Sequence, residues 1–201
     1  MTGLLSSMAT LEQIKNLREK TGAGIVGVKK ALEEAKGDET KAIEILRKRG
    51  QEKAMQKSER SAKEGIIAAY VHSNRKVAAM VELLCETDFV ARNKDFQNLA
   101  QDIAMHITAL NPQYLKPEDI PAEIVEKEQD IWKEQLKNEG KKDKLIPQIL
   151  VGKEKKFREE SALLTQAFVK NPDQTVADLI TENINKIGEN IQIGKFIRYI
   201  L

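Results

Sequence analysis

The strongest constraint on the fold is an apolar, β-prone run, Val77 to Cys85, that stops abruptly at Glu86-Thr87-Asp88. Thr and Asp side chains at the end of a strand bond nearby backbone amides and so favour a turn there. This pattern predicts that Phe89 lies at the tip of a turn. An aromatic residue at such a tip either covers the core or enters a pocket of a partner protein. Buried aromatic residues are common, so the residues by themselves favour the core-covering interpretation.

The same run is the second half of a predicted β-hairpin. Gly65 precedes a first strand, Ile66 to Val71, and Ser73-Asn74-Arg75 forms the turn between the two strands. Apolar residues then recur at helical spacing after the turn, and Asn111-Pro112 ends that helix. The residues of this stripe are Phe96, Leu99, Ala100, Ile103, Ile107 and Leu110.

Ahead of the hairpin, three short amphipathic helices are predicted. Thr10 and Gln13 form a capping box, Gly22 and Gly37 end the first two helices, and Asp38 begins the third, which ends before Gly50. A bundle of this kind is generic, and both a ubiquitin-associated-like module and a helix-turn-helix fit the pattern. The second helix carries few basic side chains on one face, so DNA binding is weakly supported.

Behind the hairpin, the sequence predicts a charged helical hairpin arm, a further helix from Gly152 to Phe168, a last helix capped by Thr175, and a closing strand, Ile191 to Ile200. We therefore expect an α+β chain. Its predicted parts are a three-helix domain (8–50), a charged linker (51–64) and a core (65–201) in which a small antiparallel sheet packs with helices, the arm spanning about 121–144. The leading residues 1–7 are left out of the predicted fold.

Composition limits the classes of function. The 201 residues are 41% hydrophobic and 32% charged, with a formal net charge of only +2, which gives no general electrostatic case for binding nucleic acid. The single cysteine, Cys85, fits a packing role in a reducing cytoplasm. No apolar run approaches the ~20 residues of a membrane span. Two His and one Cys, far apart in the sequence, suggest neither a catalytic triad nor a metal cluster, so we predict no enzyme activity and no cofactor.

Three segments resemble the elongation factor Ts family. Glu82 to Arg92, with Thr87-Asp88-Phe89-Val90 at its centre, resembles the second signature of that family, and Leu17 to Ile25 with Lys29-Lys30-Ala31-Leu32 resembles the first. Lys186 to Ile191 is also similar. The chain departs from the family pattern in a few places, and the resemblance extends over nearly the whole chain from about residue 8. The departures are Gly27, where an acid is usual, Leu84, where Asn is usual, and Thr165 and Ala167, where an acid and a proline are usual.

The resemblance implies a guanine-nucleotide exchange factor that binds the translational GTPase elongation factor Tu. In that family Phe89 would enter an apolar crevice beside the Mg²⁺ site of the GTPase, Asp88 would help to displace the groups that hold Mg²⁺, and Thr87 and Val90 would fix the turn. The bundle would dock on the nucleotide-binding domain. Its candidate contact residues are Arg18, Thr21, Gly22, Gly24, Lys29 and Lys30.

Two alternatives concern the mode of action and the assembly. The chain could instead be a non-catalytic adaptor that uses the bundle to bind another target. Longer relatives carry two related core halves while this chain has room for about one, which suggests a homodimer that completes the surface by symmetry.

Overall fold

The computed structural model describes residues 9–201, so the expectations for residues 1–7 and for the domain start at residue 8 concern positions outside the described part. The chain is an α+β structure with three helices at the amino-terminal end followed by sheet and helices. It divides into two compact units, the first made of the described residues up to Ala68, Val81–Gln101 and Asp178–Phe196, the second of Ala69–Met80, Asp102–Ala177 and Ile197–Leu201. Each unit is described separately below.

The helices of the amino-terminal bundle begin and end largely where the sequence predicts. They are α1 (Leu11–Thr21), α2 (Ile25–Glu34) and α3 (Glu39–Ser58). The capping box is confirmed, since Gln13 N–H donates to Thr10 Oγ1 at 3.1 Å and Thr10 N–H donates to Gln13 Oε1 at 3.1 Å. Asp38 caps α3 by accepting from Lys41 N–H at 3.1 Å. The bundle core consists of Leu17, Val28, Ala31, Leu32, Ala35 and Ala42.

The prediction that the third helix ends before Gly50 is wrong. The helix continues through Gly50 to Ser58, so the first part of the predicted linker is helical. The reason is a close approach of two helices within the first unit: a Cβ on Gly50 would lie 2.9 Å from the amide nitrogen of Asn185, which donates to the Gly50 carbonyl at 3.1 Å. Glycine here permits contact and does not end the helix. The division into three domain segments stays a prediction.

The β-hairpin and its closing strand form a three-stranded antiparallel sheet with the order β1-β2-β5. Its strands are β1 (Glu64–Val71), β2 (Val77–Cys85) and, at the carboxyl end, β5 (Gln192–Ile200). The predicted closing strand is confirmed, and it pairs with β2 of the hairpin. Two helices follow β2: the short α4 (Asp88–Ala91) and the long α5 (Lys94–Leu110). Asn111, with φ 50°, ends α5 as expected.

The second unit contains the helical arm. Helices α6 (Ala122–Asn138) and α7 (Ile146–Ser161) form it, and the rings of Trp132 and Phe157 pack edge to face with 5.7 Å between centroids. The prediction of a helix from Gly152 to Phe168 is wrong at its end. The helix stops at Ser161, and a two-stranded antiparallel sheet of β3 (Ala167–Phe168) and β4 (Asn171–Thr175) follows. Helix α8 (Val176–Ile187) then begins directly after Thr175.

A buried histidine joins two segments of this unit. His106 on α5 is fully buried; its Nδ1 accepts from Val169 N–H at 3.2 Å, and its Nε2 lies 3.0 Å from Gln166 Oε1. Because Nδ1 accepts, the proton of the neutral ring is on Nε2, which donates to Gln166. Burial lowers the pKa of His106, although the bond to Gln166 opposes this shift. The sequence assigned His106 no chemistry, and the structure gives it a packing and bonding role.

Candidate functional site

The chain leaves β2 in a single helical turn. Thr87 is extended (φ −129°, ψ 154°) and is the N-cap of α4, where its Oγ1 accepts a long hydrogen bond from Val90 N–H at 3.4 Å. An N-cap hydroxyl satisfies one of the backbone donors that the first turn of a helix leaves unpaired. The turn predicted at Thr87-Asp88 is therefore the start of a four-residue helix.

Phe89 is 80% exposed, although phenylalanine side chains are usually buried. In contrast, Ala91 on the same short helix is buried. The geometry of α4 thus turns a small residue inward and the aromatic ring toward solvent. The core-covering interpretation of Phe89 does not hold in this structure.

Asp88 is partly neutralised by a neighbour on the same turn. Its carboxylate forms an ion pair with Arg92 at 3.0 Å between Oδ2 and Nη2, and the side chains of both residues are about half or more exposed. Exposed pairs of this kind contribute only ~0–1 kcal/mol. Asp88 can therefore leave Arg92 for another partner at little cost.

A carboxylate from a distant part of the chain holds the base of the turn. Glu189 accepts three hydrogen bonds: from Glu86 N–H and Thr87 N–H to Oε2, both at 3.1 Å, and from the Thr87 hydroxyl to Oε1 at 2.7 Å. Bonds to a charged acceptor are stronger than neutral ones. The end of β2 and the start of α4 are thus fixed to the residue that follows the glycine at the end of α8.

The contact is reciprocal. Asn190 N–H donates to Glu86 Oε1 at 2.6 Å, so each segment supplies a carboxylate to the backbone of the other. The buried Asn190 side chain also donates to the Arg60 carbonyl at 2.7 Å, just beyond the end of α3. Three segments of the first unit therefore meet at Glu189-Asn190.

Cys85 completes the base of the turn. It is fully buried and its thiol donates to the Thr87 carbonyl at 3.2 Å. Burial, and to a lesser extent the Glu189 carboxylate, raise the pKa of Cys85 to about 11. The group is a neutral thiol near pH 7, which suits the predicted packing role and excludes a reactive thiolate.

The six candidate residues of the bundle lie around the α1–α2 connection. Gly22 has φ 63° and ends α1, as predicted, and the Thr21 hydroxyl donates to the Leu17 carbonyl at 2.6 Å. Gly24 precedes α2. The charged members are exposed, and Lys29 pairs with Glu33 at 3.9 Å. Those members are Arg18, Lys29 and Lys30.

The structure therefore brings Thr87, Asp88, Phe89 and Val90 together in one turn, and the bundle residues together around another connection. Sequence reasoning missed two features. Ile25 and Val26, at the start of α2, are 55% and 68% exposed although both are apolar. The role of Glu189 was also missed; the one signal was the family-like segment Lys186 to Ile191, in which an acid follows a glycine.

One departure from the family pattern can be placed structurally. Gly27 lies on α2 with no atom within 4 Å of an added Cβ. An acidic side chain would fit there without rearrangement, so its absence changes the surface chemistry of the bundle and not its packing.

Within residues 9–201, no group of three or more His, Cys, Asp or Glu side chains is arranged to hold a metal ion. In the same described part, no helix is both long and apolar enough to cross a membrane. What the site offers is an exposed aromatic ring, a releasable carboxylate and a fixed backbone, which suit contact with another macromolecule.

The chain is similar to known proteins along almost its entire length. The family model described as elongation factor TS matches residues 7–200. The chain is 51% identical to elongation factor Ts of Thermosipho melanesiensis over 96% of its own length and 98% of that protein. It is 53% identical to elongation factor Ts of Thermodesulfovibrio yellowstonii, with 94% of each chain covered, and 50% identical to that of Carboxydothermus hydrogenoformans, covering 96% and 89%. These matches agree with the resemblance that the Thr87–Val90 turn first indicated, and the chain belongs to the elongation factor Ts family of translation elongation factors.

Proposed function

We propose that this chain is a cytoplasmic guanine-nucleotide exchange factor. It binds elongation factor Tu with bound GDP, disturbs the site that holds Mg²⁺ and the phosphates, and promotes release of GDP so that GTP can bind. It catalyses no covalent step and uses no cofactor of its own. The observation that carries this proposal is the 80% exposure of Phe89 on a turn whose base is fixed.

The physical argument is a competition between two ligands for one GTPase. Such a protein holds its nucleotide through a phosphate-cradling loop and a Mg²⁺ ion that bridges phosphate and side chains. A partner that prefers the open, Mg²⁺-free conformation must weaken nucleotide binding by the same free energy. A rigid wedge and a separate source of binding energy are needed.

Phe89 and Asp88 supply the wedge in this proposal. The exposed ring enters an apolar crevice beside the Mg²⁺ site of the partner, and Asp88 exchanges its weak pair with Arg92 for groups that hold the ion. Thr87 and Val90 keep the turn in shape through the N-cap bond.

The bundle supplies the second contact. Arg18, Lys29 and Lys30 are exposed. Gly22 and Gly24 beside them are also exposed, and Thr21 is partly exposed. The exposed apolar side chains of Ile25 and Val26 support this proposal, because apolar area at a surface is what a stable protein contact buries.

The test is whether the chain speeds release of a fluorescent GDP analogue from elongation factor Tu in the presence of excess GTP. Acceleration that depends on Phe89 supports exchange. An adaptor that uses only the bundle would instead bind elongation factor Tu, or another protein, with the same affinity whether nucleotide is present or absent.

We also propose that the chain forms a homodimer without contacting nucleic acid. Several apolar side chains of the second unit are exposed on β2 and at the carboxyl end, where a second copy could cover them. They are Met80, Ile197, Tyr199, Ile200 and Leu201. Sedimentation equilibrium over a hundredfold range of concentration tests this proposal, and a monomer throughout that range would contradict it.

A further inference from the structure

We propose that Glu189 is a positioning residue for nucleotide exchange: it sets the direction of Phe89 by holding the strand end and the helix cap from the far side of the first unit. This inference rests on the proposed exchange function. It concerns a residue that bonds to the base of the turn, at Glu86 and Thr87.

The contacts of the Phe89 ring do not fix its orientation in the free protein. With 80% of the residue exposed, its ring has few contacts in the free protein, so the direction of its Cα–Cβ bond depends on the backbone of α4. A helix of four residues has little stability of its own. The position of the ring is therefore set by whatever fixes the start of that helix.

The start of α4 is fixed by Thr87, and Thr87 is oriented by Glu189. The Thr87 hydroxyl donates to Glu189 Oε1 at 2.7 Å, which leaves a lone pair directed at Val90 N–H for the cap bond. The second carboxylate oxygen, Oε2, accepts hydrogen bonds from two consecutive backbone amides, those of Glu86 and Thr87. Removing the carboxylate leaves two backbone donors without this acceptor and lets the hydroxyl rotate away from the cap.

Glu189 is itself held on both sides. Gly188, with φ 94°, ends α8, and its N–H donates to the Ile184 carbonyl at 2.9 Å. On the other side Asn190 is buried and bonded to Glu86 and to the Arg60 carbonyl. The carboxylate therefore projects from a fixed backbone, as a positioning group requires.

The experiment compares Glu189→Ala, Glu189→Gln and a matched control, Glu160→Ala, whose carboxylate makes an exposed pair with Lys156 at 3.6 Å. Amide hydrogen exchange of Glu86 and Thr87 reports on the turn without any partner. Release of a fluorescent GDP analogue from elongation factor Tu, titrated to saturation, separates the maximal rate from the affinity.

We expect Glu189→Ala to speed amide exchange at Glu86 and Thr87 and to lower the maximal release rate about tenfold, the effect of ~1.4 kcal/mol on a barrier. Half-saturation should change less than the maximal rate. Glu189→Gln keeps one oxygen for the two amides and can donate to the Thr87 hydroxyl, so it should retain a rate within roughly threefold of the original, as for the loss of one modest hydrogen bond. Glu160→Ala should match the unmodified chain.

A second background separates positioning from general destabilisation. In a chain that already carries Phe89→Ala, Glu189→Ala should slow release less than it does in the unmodified chain, because only Asp88 of the wedge is left to position. Equal slowing in both backgrounds, or unchanged amide exchange, would overturn the proposal. If Glu189→Ala does not fold, Thr87→Val replaces it: slower release at unchanged melting temperature supports the role, and an unchanged rate contradicts it.

The failure of the proposed function gives a different pattern. If the unmodified chain does not speed GDP release at all, exchange itself is refuted, and the role of Glu189 in exchange with it. The amide data would still show whether Glu189 holds the turn.

Discussion

The substitution Phe89→Ala tests whether Phe89 contacts a partner or supports the core. With 80% of Phe89 exposed, about a fifth of the ~150–250 Å² that a Phe can bury is covered in the free protein. At ~25 cal/mol per Å² this burial is worth about 1 kcal/mol. For a chain of this size such a loss lowers the melting temperature by roughly 2–4 °C.

The exposed remainder of Phe89 is available to a partner. By the same conversion its burial in an apolar crevice is worth on the order of 4 kcal/mol, so Phe89→Ala should slow GDP release about a thousandfold. The matched variant is Phe96→Ala, which removes a fully buried ring of the same kind and should cost ~3–5 kcal/mol of stability.

Two measurements decide between these outcomes: thermal unfolding followed by circular dichroism, and release of a fluorescent GDP analogue by stopped flow. If Phe89→Ala melts as early as Phe96→Ala, the ring supports the fold and the reasoning fails. The reasoning fails equally if melting and release are both unchanged.

Three further predictions concern linkage, pH and thiol chemistry. Bound Mg²⁺–GDP should weaken binding of this chain to elongation factor Tu by ~3–5 kcal/mol, and replacing both Asp88 and Phe89 by Ala should reduce this coupling free energy more than the affinity for nucleotide-free elongation factor Tu. Calorimetry with and without Mg²⁺–GDP measures both quantities. If the unmodified chain binds equally well in both cases, exchange is refuted. Burial holds the pKa of His106 below its usual 6.5, so the unfolded state takes up the proton first and stability should fall as pH drops below 6.5. In urea titrations, His106→Gln should flatten the dependence of the free energy of unfolding on pH below 6.5. An unchanged slope would count against a role of His106 in this pH dependence. Cys85, with its pKa raised to about 11, should react with a thiol reagent at pH 8 only on unfolding; rapid labelling of the native chain would show otherwise.

The sequence predicts local features of this fold well because they depend on neighbouring residues. The Thr10–Gln13 capping box and the Asp38 cap each join residues three apart, and both are present. The hairpin turn at Ser73-Asn74-Arg75 is similarly local: Arg75 has φ 56°, and its N–H donates to the His72 carbonyl at 2.8 Å.

Features set by distant contacts were missed or misread. Gly50 looks like a helix end in the sequence, and only the approach of Asn185, 135 residues away, shows why glycine is needed inside α3. The exposure of Phe89 could not be read from an apolar pattern, because the side of α4 that faces the core is chosen by tertiary packing. The contact of Glu189 with Thr87 spans 102 residues, and no periodicity indicates it.

The reciprocal bonds between Glu86 and Asn190 and between Glu189 and Thr87 have a consequence for synthesis of the chain. The turn is encoded before the middle of the sequence, yet its acceptor is encoded 102 residues later. During translation Phe89 leaves the ribosome long before Glu189 does, and until then Glu86 and Thr87 lack the carboxylate that holds them. A partly made chain therefore displays the ring without its fixed direction. The turn becomes rigid only when the segment after the last helix has been made, so an incomplete chain carries Phe89 on a turn whose direction is not yet set.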